Sequence, residues 1–205
     1  MWSIMNVLKD FTELHDAIEA ELKKRLPMLD TVALYDPTDI TPGESFKIDT
    51  PAVLIEMVEA KPGRAVTGGR IPFNCEFALH CILSSKTTDL PLAVRNLAAM
   101  VSLVVGYAEE DIEKNQITDF VVSGRQNWGL SALGVESVPI DSINIYPGSF
   151  KPGKGGNEKA FGFDSMIVTF EQQIHLGNLL INPPTFLPGQ IEIEGSDSVG
   201  GDGWT

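Results

Sequence analysis

The sequence predicts an α+β fold: a mixed, mainly antiparallel β-sheet with two main helices packed on one face, plus a C-terminal extension. Three observations point there. An amphipathic helical pattern opens the chain, a strict period of two runs from Ile71 to Leu83, and an apolar helical stretch separates that run from two later strands. Strands that follow one another directly pair most simply as antiparallel neighbours, which leaves the helices to cover one side.

Each element has its own signal. Val7, Phe11, Leu14, Ile18 and Leu22 step by four, three, four and four, one face of a helix, and Pro27 stops the pattern. "TVALYD" reads as a short strand, "PTDITPGESF" as a loop rich in turn formers, and "PAVLIEMVEA" as a second strand beginning at Pro51. Ile71, Phe73, Cys75, Phe77, Leu79, Cys81 and Leu83 alternate with Pro72, Asn74, Glu76 and His80, so one face of a long strand is buried and the other partly wet. "LPLAVRNLAAMVSLVVG" is apolar on nearly every side, with Asp89 as its cap, Pro91 in the first turn and Gly106 at its end. A helix of that kind is expected between layers or between subunits. "VPIDSINIYPG" is another strand, and "SMIVTFEQQIHLG" a last one, with Met166, Val168, Phe170, Ile174 and Leu176 on one face interrupted only by Gln172. Residues 1–180 form one domain on this reading. Residues 181–205 form a Pro/Gly-rich acidic extension in which only "QIEIE", with Ile191 and Ile193 on one side, alternates.

Composition narrows the function. In 205 residues, 28 acidic side chains face 15 basic ones, a net charge of -13 that repels a phosphate backbone and disfavours sequence-specific DNA binding. After Lys159 there is no Lys or Arg, while six carboxylates follow. "MWSIMNVLKDF" lacks the pattern of a signal peptide, and the longest greasy stretch, which carries Arg95, Asn96 and Ser102, is too short and polar for a membrane span. Cys75 and Cys81 fall six residues apart on one strand, too far for a bridge, and are expected to be free buried thiols.

The residues that could carry chemistry are scattered. His15, His80 and His175 have no metal-ligand neighbours at a recognised spacing, and His80 and Cys81 point to opposite faces of one strand. Cys75 with His175, or Glu56 with Glu171, could pair only across strands, and nothing in the sequence demands it. No catalytic residue, cofactor or metal is therefore expected. The candidate functional residues are instead interface residues. Arg125 and Trp128 stand in a stretch without periodicity, as contact residues or as a loop anchor; Leu97 and Val101 lie on the apolar helix, and Ile191 and Ile193 in the tail. The tail is expected to be loose in the monomer and to order by packing on a neighbouring subunit or a tail protein, for instance as an added edge strand.

"IDSINIYPGSF", a Gly-rich gap and "MIVTFEQQIHLG" together resemble the strand–loop–strand that closes proteins of the phage tail-terminator (tail-completion) group, especially its Mu-like family. Asn144 and Tyr146 match an Asn and a Tyr that end one strand of that group, and Phe170, Glu171 and Gln172 match an aromatic-Glu-Gln run in its last strand. "LKDFTELHDAIEAELKKRLP" and "PAVLIEM" fit its opening, so the similarity extends over residues 7 to 178 in order of elements. The acidic tail and the loop holding Trp128 depart from it. The resemblance implies a structural virion protein, without catalysis, that forms a homo-oligomeric ring, usually of six copies, at the head-proximal end of the tail. Its partners would be the tail tube protein, the sheath and head–tail connector or neck proteins, with DNA only as passing cargo and no membrane; assembly would take place in the bacterial cytoplasm. Another connector, neck or tube subunit is the next reading, and a cytoplasmic enzyme or binding protein the third.

One stretch competes with that reading. Gly148, Gly153 and Lys154 in "GSFKPGKGG" stand at the spacing of a phosphate loop. The hydroxyl that would bind magnesium is replaced by Gly155, Pro152 removes an N–H from the cradle, and "GGNEKAFGFD" has no helical period to supply the helix N-terminus such a loop needs. The stretch reads as a connection between two strands. Lys154→Ala should therefore leave stability and assembly unchanged, and calorimetry should detect no ATP binding in either form; ATP binding lost on substitution would reverse this.

Overall fold

Asp10 starts the first helix. Its carboxylate accepts the backbone N–H groups of Thr12 and Glu13 at 2.9 and 3.3 Å, satisfying two of the donors that a helix start leaves open. Helix α1 (Phe11–Arg25) buries Leu14, Ile18 and Leu22 and ends on Lys23, Lys24 and Arg25, charges that suit the negative end of its dipole. Val7 precedes the helix, and its neighbour Leu8 makes an isolated parallel bridge to Leu176. The computed structural model of the chain describes residues 7–37, 48–64, 70–108, 124–148 and 162–177. The tail, its Ile191 and Ile193, and nearly all of the Gly148–Gly156 stretch lie outside them.

Among the described residues five strands form one sheet: β1 (Thr31–Leu34), β2 (Ala52–Pro62), β3 (Ile71–Ser84), β4 (Asn144–Pro147) and β5 (Phe163–Leu176), in the order β1-β2-β3-β5-β4. Only β1 and β2 run parallel; the other pairs are antiparallel. The centre is the long β3–β5 ladder, unbroken from Ile71↔Leu176 to Ser84↔Phe163. Helix α2 (Leu90–Gly106) follows β3, and two single turns of 3-10 helix, Ser131–Leu133 and Ile140–Ser142, lead into β4.

The period of two becomes two faces. Val53 and Ile55 of β2, Cys75, Phe77, Leu79, Cys81 and Leu83 of β3, and Val168, Phe170 and Ile174 of β5 share one buried cluster with α1 and α2. Both helices thus cover the same face. A smaller cluster, Ile48, Ala52, Leu54 and Ile82, sits on the other. Ile71, assigned by its alternation to the buried face, is exposed, in the end pair of the ladder.

Helix α2 differs from its sequence reading in two ways. Asp89 is left-handed (φ 49°) and its side chain makes no cap; its carbonyl instead accepts the N–H groups of Leu92 and Ala93 at 2.9 and 3.0 Å. Nor is the helix buried all round. Val94, Leu97, Ala98, Val101, Val104 and Val105 face the sheet, while Leu92 and Leu103 stay 58% and 57% exposed. Since Leu97 and Val101 are closed inside the chain's own core, Leu97→Ala should lower the unfolding free energy by about 2–5 kcal/mol, seen as an earlier denaturant midpoint with an unchanged slope.

Candidate interaction surface

Trp128 is held by geometry no local pattern announces. It adopts a left-handed backbone (φ 59°), followed by Gly129 at φ 73°, and its indole is buried against Phe170 at a ring separation of 5.9 Å. Phe170 stacks in turn on Phe77 at 5.1 Å. The indole N–H donates to Oε1 of Gln172 at 2.7 Å, and Nε2 of Gln172 donates to the carbonyl of Glu136 at 2.7 Å. Gln126 completes the clasp: its Oε1 accepts the backbone N–H of Trp128 at 2.8 Å, and its Nε2 donates to the carbonyl of Val104 at 3.1 Å. Both glutamines are buried, and both amides are paired at each end. Trp128 is therefore the loop anchor of the two alternatives.

The other sequence candidates separate. Arg125 is exposed, in an isolated antiparallel bridge with Tyr107 just past α2. Leu97 and Val101 face inward, so the apolar positions of α2 that a neighbour can reach are Leu92, Met100 and Leu103. These were not singled out in the sequence, although Leu92, Ala99 and Leu103 share a helical stripe. Ile145 and Tyr146 on the edge strand β4 are also open to water. On that strand Asn144 pairs with Thr169 and Tyr146 with Ile167, and the Tyr146 hydroxyl bonds to Oγ1 of Thr169.

Among the described residues the titratable groups meet in small, separate sets. Burial pushes the Cys75 thiol up to about 11 and the Cys81 thiol up to about 12, so both are protonated and unreactive near neutrality. Both are free. Cys75 faces the helices while His175 lies on the opposite side of the ladder, across from Pro72, so the two form no pair. His175 approaches Glu136 at 3.3 Å and Gln173 at 2.9 Å. His80 meets Glu56 at 2.7 Å, with the Tyr35 ring 5.0 Å away; burial first, then the charges of Glu56 and Asp36, hold the Tyr35 phenol above its ordinary range. Glu171 pairs in register with Glu76, not with Glu56. Among the described residues no group of three or more His, Cys, Asp or Glu is placed to hold a metal ion, and no helix is long and apolar enough to cross a membrane.

No protein-family model matches the chain, and no curated protein matches it.

Two outcomes follow from the clasp and the thiols. Trp128→Phe leaves Oε1 of Gln172 buried without its donor and should cost about 1–3 kcal/mol. Adding Gln172→Leu should cost less than the sum of the two single losses, as read from a double-mutant cycle. A raised thiol pKa stabilises the fold fully below the unfolded value, and that contribution fades as pH climbs toward about 11 for Cys75 and about 12 for Cys81. At pH 8, therefore, a thiol reagent should label neither cysteine in the native protein and both in denaturant.

Proposed function

We propose that this chain is a structural subunit of a phage virion that closes into a ring, caps the tail tube, ends its polymerisation and joins tail to head. What carries the reading is the resemblance of two sequence segments to the tail-terminator group. Asn144, which opens β4, and Tyr146 pair with Thr169 and Ile167 of β5, the strand that also carries Phe170, Glu171 and Gln172. Three features support it. The α+β architecture agrees with the one the resemblance implies. Leu92, Met100 and Leu103 on α2 offer apolar surface for a head-to-tail contact between copies. The net charge of -13 suits a channel through which DNA slides without adhering.

Light scattering of the purified protein, alone and with tail tubes, tests it. A closed species near six subunit masses, seen by electron microscopy at one end of the tube, is the expected result. A monomer under both conditions would overturn the proposal, and copies distributed along the tube would make the chain a tube protein.

A further inference from the structure

Strand β1 ends at Leu34, its last residue paired with β2, and the N–H of Tyr35 donates to the carbonyl of Ile55 at 2.8 Å. Strand β2 continues to Pro62, paired on its inner side with β3 as far as Phe73. Among the described residues, then, no strand pairs with the outer edge of β2 beyond Glu56. A register shift between Met57 and Glu59 leaves Val58 48% exposed on that edge.

On the helix side of the same edge, where β1 would continue, there is a cavity of about 290 Å³. Phe11 and His15 of α1 line it from one side, Ile55 and Phe77 from the sheet, and Leu34 and Met57 complete it. Leu34 and Met57 are 63% and 39% exposed, so two large apolar side chains at this site are left to water. A strand edge left unpaired among the described residues, beside an apolar groove, calls for one kind of occupant. It must be an extended segment whose main chain satisfies the edge and whose apolar side chains stand two residues apart on one face.

The tail contains such a segment. If extended, "QIEIE" would put Ile191 and Ile193 on one face, about 7 Å apart, and Gln190, Glu192 and Glu194 on the other. Residues 178–205 follow Gly177, whose N–H donates to the carbonyl of Leu8 at 2.7 Å, so the tail departs beside the start of α1. We propose that the free edge of β2 and the groove beneath it receive Gln190–Glu194 of a second copy as an added strand, with Ile191 and Ile193 seated against Leu34 and Met57. This rests on the ring reading: a ring needs one surface of each subunit to meet a different part of the next, and groove and tail are such a pair.

Disulfide trapping with the full-length chain tests it. Cys75 and Cys81 are buried and do not compete, and Leu34 is exposed enough to change without disturbing the core. Leu34→Cys protein mixed with Ile193→Cys protein should yield a 34–193 cross-linked dimer as the dominant product. Leu92→Cys in place of Leu34→Cys should yield none, and a synthetic peptide of residues 186–197 should suppress the bond. A 34–193 bond formed only within single chains of the double variant would overturn the assignment to a second copy. An equal yield from Leu92→Cys, or no bond at all, would overturn the site. Light scattering on the same samples separates the two readings: oligomers without the bond sink this inference alone, whereas monomers throughout sink the ring as well.

Discussion

Gln172 places an amide in the middle of an otherwise apolar strand face, and residues 126–136 are arranged around that amide. A buried amide whose two ends are both paired contributes little net stability, but one left half-paired is costly. Trp128 and the Glu136 carbonyl supply the two partners, so the loop between them has to return across β5 at this point. Gln126 then ties the same loop to the Val104 carbonyl near the end of α2, and Arg25 bonds from the end of α1 to the Tyr107 carbonyl. Four segments distant in sequence thus meet at one polar knot. Buried Val135 and Val138 fill the space around it.

What could be read in advance follows from the range of each interaction. Helix α1 and strand β3 were legible because their signals are local: a period of 3.6 stopped by Pro27 in one, a period of two in the other. Gln172 looked like an interruption of β5, because alternation reports that a position faces inward and says nothing of a partner far along the chain. Trp128 stayed ambiguous between contact and anchor for the same reason. In α2 the apolar residues outnumber the places the sheet can cover, and sequence alone does not say which of them are left outside. The parallel pairing of β1 with β2 has no local signature at all. The surfaces on which the proposed assembly would depend are set by where β1 stops and β2 goes on, a fact of pairing and not of composition.

The strand order gives those surfaces a geometry. The edge of β2 and its groove lie toward one border of the sheet, and β4, with Ile145 and Tyr146, forms the other. The exposed stripe of α2 belongs to the helix layer that covers β3 and β5. Contact surfaces at opposite borders of one sheet can be used at the same time, which a head-to-tail closed assembly requires and a two-fold dimer does not.

The β3–β5 ladder also sets the order in which this protein can be made. Every rung joins residues on either side of α2 and the whole segment leading to β4, from Ser84 with Phe163 to Ile71 with Leu176. Each of these pairs is non-local, and non-local strand pairing is intrinsically slow to form. On the ribosome, β3 is complete long before β5 has been translated. During that interval it presents a bare fourteen-residue edge carrying Phe77, Leu79 and Ile82, the kind of surface that strands of other chains join. The feature that makes the finished sheet continuous is, in the nascent chain, its main aggregation hazard.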